Sequence, residues 1–169
     1  MDASLPPVSE RIVTAERTVR APAEVLFELI ADPARQPDWD GNDNLAHSGP
    51  DQRVRAVGDV FVTDLTNGQS RENHVVEFEE GRRIAWLPAP AGEQPRGHRW
   101  RWDLEPTGEG TTLVRHTYDW TQLSDETRFP RALATTRSSL MASVDRLAAL
   151  AEGSTEGSTE GSTEAQSRG

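Results

Sequence analysis

Residues 97–121, GHRWRWDLEPTGEGTTLVRHTYDWT, restrict the possible folds of this chain more than any other segment. His98, Trp100, Trp102 and Leu104 alternate with Arg99, Arg101, Asp103 and Glu105. Farther on, Val114, His116, Tyr118 and Trp120 alternate with Arg115, Thr117 and Asp119. A period of two with one charged face marks a strand that buries one side in an antiparallel sheet. Pro106, Gly108 and Gly110 supply turn composition between the arms, so the segment reads as a β-hairpin. Residues directly opposite in an antiparallel pair share a face, so even positions must meet even positions. Closing the loop between Glu105 and Thr111 meets that condition. It sets Trp100 opposite His116, Trp102 opposite Val114 and His98 opposite Tyr118. One wall then carries two indoles, two imidazoles and a phenol. Each polar tip needs a partner when buried. Large apolar bodies with a few polar tips are the composition of a small-molecule pocket. The alternative is a sheet core whose His and Trp groups are satisfied by backbone or water.

The rest of the chain supplies a frame for that wall. Residues 1–9 read as a flexible lead and residues 11–20 as a first strand, with Val13, Ala15 and Val19 on one face. Pro22 suits the start of a helix, where its missing N–H costs nothing. Val25, Leu26, Leu29 and Ile30 give that helix an apolar stripe, and Asp32-Pro33 stops it. Residues 34–44 leave room for one further helical turn, with Trp39 pinning it to the end of the sheet. Asp38, Asp40, Asn42 and Asn44 have the look of a calcium loop. Asp43 stands where such a loop needs Gly, and no Glu occupies its twelfth position, so a solvated acidic turn is the reading. A weak or edge strand is expected within residues 45–56. Strands are expected at 59–65, 71–79 and 83–87, joined at Asn67-Gly68 and Glu80-Gly81, with His74, Val76 and Phe78 sharing one side. Pro88, Pro90, Gly92 and Pro95 read as a loop. Phe129, Leu133, Leu140, Val144, Leu147 and Ala151 recur at helical spacing, with Arg131, Arg137, Asp145 and Arg146 opposite. A helix over 131–152 would span about 33 Å, enough to cross a sheet. Gly153 is its expected end, and the GSTE repeats within residues 153–169 are expected to be disordered because they offer nothing to bury.

Composition removes several chemistries. The chain has 169 residues, no cysteine and a formal net charge of −10, and all 18 of its basic residues are arginine. Thiolate nucleophiles, disulfides, thiolate zinc sites and lysine Schiff bases are therefore excluded. An acidic chain without a basic stripe is a poor ligand for nucleic acid or anionic membranes. No apolar run approaches a membrane span, and MDASLPPVSE lacks the features of a secretory signal, so a cytoplasmic protein with no membrane insertion is expected. His47 and His74 fall on different elements without metal-binding spacing, so no metal or cofactor is expected.

The element order is α+β: a strand, two short helices, a meander of strands and a long terminal helix. It resembles the START-like, or SRPBCC, superfamily with the helix-grip fold. The resemblance is carried by VRAPAEVLFELIADPARQPDW (19–39), VGDVF (57–61), VVEFEEGRRIAW (75–86) and WRWDLEPTGEGTTLVRHTYDW (100–120), and covers residues 10–152. It is closest to the branch described as polyketide cyclase or dehydrase and lipid transport. The resemblance implies a curved sheet of six to seven strands around the C-terminal helix, with a cavity between them. Three functions compete. The first is binding of a small, largely apolar or aromatic ligand by Trp86, His98, Trp100, Trp102, His116 and Tyr118. The second is aromatase or cyclase chemistry on a polyketide-like carbonyl compound, with His116 or His98 as base and Tyr118 as donor. The third is a protein-partner role, as in the branch that activates a chaperone ATPase, which needs an exposed apolar patch.

Overall fold

The computed structural model describes residues 5–168, with side chains described through residue 153. The strands are β1 (Ile12–Val19), β2 (Leu45–His47), β3 (Val60–Leu65), β4 (Ser70–Glu79), β5 (Arg83–Pro90), β6 (Arg99–Gly108) and β7 (Thr111–Asp119). They form one open antiparallel sheet in the order β1-β7-β6-β5-β4-β3-β2. Between β1 and β2 lie α1 (Ala23–Ala31), a 3₁₀ turn (Pro33–Arg35) and α2 (Gln36–Trp39). The chain closes with α3 (Phe129–Ala134) and α4 (Arg137–Arg168). This is the α+β helix-grip architecture. No helix among the described residues is long and apolar enough to cross a membrane.

The register builds the inner face in rungs. One rung runs Ala15, His116, Trp102, Ile84 and Phe78 across β1, β7, β6, β5 and β4. The next runs Val13, Tyr118, Trp100, Trp86 and Val75. The expected face of β6 and β7 is thus observed, but the expected pairing is two residues off. Trp100 faces Tyr118, Trp102 faces His116 and Leu104 faces Val114. The strands extend past Pro106 to a two-residue turn at Glu109-Gly110, with Gly108 paired to Thr111 and Gly110 at φ 74°. A bulge between Pro106 and Gly108 corrects the parity that this shorter turn would otherwise invert.

A second bulge, between Val75 and Glu77 of β4, explains another departure. Asn73 and Val75 are buried and Val76 is exposed, whereas His74 and Val76 were expected to share the inner side with Phe78. One extra residue switches the face, so Phe78 still turns inward and meets Phe27 edge-on at 5.7 Å. Pro88 and Pro90, expected in a loop, lie in β5. β5 pairs with β6 only through Arg83–Trp86, so the prolines fall where one flank has no ladder to interrupt. The lead expected at residues 1–9 holds a 3₁₀ turn at Val8–Glu10, and residues 1–4 lie outside those described.

The expected single helix over 131–152 is two helices. Thr135 is extended at φ −83°, ψ 102°, which ends α3. Thr136 then starts α4 as its cap: its hydroxyl accepts from the Ser139 amide at 3.3 Å, and the Ser139 hydroxyl accepts from the Thr136 amide at 2.8 Å. The backbone of α4 continues through Gly153 to Arg168, past the expected stop there. A lone glycine costs a helix roughly 1 kcal/mol relative to alanine but does not forbid it, and no proline follows. Leu140, Val144, Leu147, Ala148 and Ala151 of α4 are buried in the core beneath the sheet. Gly41 allows the α2–β2 connection to touch α4: a Cβ there would lie 2.4 Å from the Ala142 carbonyl carbon, and the Gly41 amide donates to Ser143 Oγ at 3.1 Å.

Candidate ligand cavity

Between the inner face of the sheet and the α3–α4 segment lies a cavity of about 520 Å³. Trp86, Trp100, His116 and Tyr118 form its sheet wall, with His98 at the approach to β6. Trp39 and Gln36 close one side, and Ala134, Thr135, Ser139, Leu140 and Ser143 supply the helical side. The break between α3 and α4 creates that helical lining, because a continuous helix would have no extended Thr135 to present there.

The aromatic groups are interlocked. The His116 ring stacks on Trp102 at 3.8 Å and lies near-parallel to Trp100 at 5.5 Å. Trp100 meets Tyr118 at 4.5 Å, and Tyr118 meets His98 at 6.0 Å. Trp86 packs edge-on against Phe61 at 5.3 Å. Five of the six ligand-contact residues expected from sequence line the cavity, and Trp102 does not. It is 0% exposed, held behind the wall between His116 and Trp39, which it meets edge-on at 5.2 Å. The shift of register produces this: opposite His116 rather than Val114, the indole is covered by an imidazole. Trp120 does not line the cavity; it packs with Phe129 and under the Arg11 guanidinium, 5.0 Å from its ring.

Burial sets the protonation of the polar tips. His116 Nδ1 donates to the Arg101 carbonyl at 3.2 Å, which leaves Nε2 as the lone-pair nitrogen. Burial pushes the His116 imidazole down to about 3, against a smaller opposing effect of that hydrogen bond. Burial, reinforced by Arg128, Arg71 and Arg131, pushes His98 down to about 4. Burial pushes the Tyr118 hydroxyl up to about 12. All three are neutral at pH 7. No hydrogen bond joins either histidine to Tyr118 among the described residues. His98 Nδ1 is buried without a partner.

Sequence reading missed the polar half of the lining. Arg71, Asn73, Thr63, Arg128 and Arg131 all face the cavity. The bulge in β4 hid Arg71 and Asn73, since a strict alternation from Phe78 assigns them to the outside. Arg131 was expected on the solvent side of one long helix, and the break at Thr135 re-aims it. Asp40 of the rejected calcium loop directs its carboxylate to three backbone amides: Asn42 at 3.3 Å, Asn44 at 2.6 Å and Leu45 at 2.8 Å.

An open antiparallel sheet gripping a C-terminal helix, with an aromatic-walled cavity between them, defines a START-like domain. The chain belongs to the polyketide cyclase/dehydrase and lipid transport family, whose model matches residues 10–152. Among solved structures, protein MLL2253 from Mesorhizobium loti superposes with a TM-score of 0.61 at 20% identity, covering 82% of this chain and 95% of its own. DynU16, a protein in the dynemicin biosynthetic locus, superposes with a TM-score of 0.57 at 20% identity, covering 82% of this chain and 46% of its own. The uncharacterized protein Rv0088 of Mycobacterium tuberculosis is 29% identical over 105 residues, or 60% of this chain. The chain spans 44% of the length of that relative.

Proposed function

We propose that this domain binds a small, largely apolar or aromatic molecule in the cavity between the sheet and α4. The observation that carries this reading is the cavity itself. Its volume of about 520 Å³ falls within the roughly 300–1,000 Å³ of small-molecule sites. Its wall of Trp86, Trp100, His116 and Tyr118 offers flat apolar faces with few polar atoms. Family membership and the likeness to a protein of a biosynthetic locus agree with a ligand of that class.

A cyclase-type reaction has one supporting observation, the lone pair left on His116 Nε2. Two others weigh against it. An imidazole at about 3 is a weak base at neutral pH, where an effective general base sits near the working pH. Neither histidine is coupled to Tyr118 by a hydrogen bond among the described residues. A protein-docking role has less support. The exposed large apolar residues include no aromatic group: Val60 and Val62 of β3 and Val76 of β4 are small and on neighbouring strands, and Val8, Ile12, Val57 and Leu133 lie on other segments.

The neutral fluorophore N-phenyl-1-naphthylamine provides the test. Saturable 1:1 uptake by the wild type is expected, and it should be lost in Ala134→Trp, which puts an indole at the cavity from an exposed position. Absence of uptake, or uptake unchanged in Ala134→Trp, would contradict the proposal.

A further inference from the structure

The cavity is electrostatically one-sided, and the imbalance runs against the charge of the whole chain. Arg71, Arg128 and Arg131 all line it, in a protein whose formal net charge is −10. The one carboxylate in the lining, Asp40, is engaged by three backbone amides and by no arginine side chain. The guanidinium of Arg71 donates to the Ser70 carbonyl at 3.2 Å and the Gln69 side-chain oxygen at 3.1 Å, both neutral acceptors. Arg128 has only a long ion pair, 3.8 Å, to Asp125, which also faces Arg96 at 3.5 Å. Arg131 has no ion pair among the described residues.

Like charges gathered around one cavity repel each other, and the field of one is felt by the next. Arg71 is held below its usual value by burial first and by Arg128 and Arg131 next, with Glu93 only partly offsetting them. Several other arginines of this chain are neutralised by carboxylates. Arg53 is paired with Glu28 at 2.5 Å and Glu80 at 2.7 Å, and Arg83, Arg99 and Arg101 share Glu77, Asp103 and Asp119 on the outer face. Beside the cavity arginines sits His98, 8% exposed, with Nδ1 unpartnered. Tyr118 retains its proton and can donate.

We infer that the ligand is an amphipathic organic anion, whose apolar body rests on Trp86 and Trp100 and whose carboxylate, sulfonate or phosphate head is bound by Arg71, Arg128 and Arg131. This deepens the binding reading and rests on it. The anion supplies the countercharge that Arg71 and Arg131 lack and that Arg128 has only at 3.8 Å, and guanidinium forks suit such head groups. The negative charge of the rest of the surface disfavours anions elsewhere, so recognition is local to the cavity.

A matched pair of probes separates the two readings. N-phenyl-1-naphthylamine and 8-anilinonaphthalene-1-sulfonate share one aromatic skeleton and differ in the sulfonate. Both are titrated against the wild type, Arg131→Gln, Arg128→Gln and Arg71→Gln. Each substitution is expected to weaken the sulfonate probe roughly three- to tenfold, the scale of one net hydrogen bond at a partly solvated site. The neutral probe should stay within about twofold, which also reports that each variant is folded. Equal weakening of both probes, or no change for either, overturns the anion assignment while leaving the cavity reading intact. Sulfonate binding that survives Ala134→Trp also overturns it, because the anion would then sit on the surface. If the wild type takes up neither probe, the cavity reading fails and this inference with it.

Discussion

The two buried histidines make a prediction about acid sensitivity that can be worked out in full. Their ordinary value is 6.5, and burial holds His98 down to about 4 and His116 down to about 3. The unfolded chain therefore binds protons at pH values where the folded chain does not. Stability is complete above pH 6.5 and is lost as pH falls from 6.5 toward the folded values. At pH 5 each histidine has cost about 2 kcal/mol, from 1.36 kcal/mol per unit over the 1.5 units below 6.5. The two together amount to about 4 kcal/mol between pH 7.5 and 5, a large part of a typical domain's 5–15 kcal/mol. Carboxylates leave this window nearly undisturbed, because Glu80 and Asp103 are held below usual values that already lie under pH 5. Urea titrations at pH 7.5, 6.5, 5.75 and 5, read by tryptophan fluorescence, measure the loss directly. His116→Phe and His98→Phe keep a ring in place and remove the titrating group. Each should halve the pH slope, whatever it does to stability at pH 7.5. A wild-type loss below about 1 kcal/mol across the window, or slopes unchanged in both variants, would refute the claim that these imidazoles are buried and neutral.

Other consequences can be checked by the same denaturation assay. Gly41→Ala should destabilise by roughly 2–4 kcal/mol, because its Cβ would meet the α4 backbone at 2.4 Å and that backbone cannot yield without separating α4 from α2. Trp39→Phe should cost more than Trp102→Phe. The first loses the indole donor to the Leu29 carbonyl at 2.7 Å, whereas Trp102 Nε1 is buried without an acceptor, so its removal offsets about 1–3 kcal/mol of the lost packing. Arg53→Ala should cost roughly 2 kcal/mol. It severs the bridge between Glu28 of α1 and Glu80 of the β4–β5 turn and exposes Phe27, over which the guanidinium lies at 5.4 Å.

The parts of the fold governed by short-range periodicity were legible from the residues. Period two in β1, β3, β6 and β7, the Asn67-Gly68 turn and the apolar stripe of α1 each express local sterics plus burial of one face. What escaped was set by single insertions into those periods. A bulge at Pro106 to Gly108 moved the β6–β7 pairing by two residues, which kept every face but took Trp102 off the cavity wall. A bulge at Val75 to Glu77 moved Asn73 and Arg71 inward. Bulges cost little locally and are stabilised by distant neighbours, so alternation carries no mark of them. The helix break at Thr135 did leave a trace, the reciprocal Thr136–Ser139 cap, yet it lay inside an otherwise helical pattern. The aromatic wall was therefore visible in the sequence, and the arginines that complete the cavity were not.

Fluorine NMR of protein labelled with 5-fluorotryptophan puts the central claim to the most direct trial, since the five indoles stand at known depths around the cavity. On saturation with N-phenyl-1-naphthylamine, the Trp86 and Trp100 resonances should move most and Trp102, one layer behind the wall, less. Trp120, which packs against Phe129 and does not line the cavity, should move least. Unchanged Trp86 and Trp100 resonances in the presence of bound probe would mean that the ligand sits elsewhere and that the aromatic wall is only core.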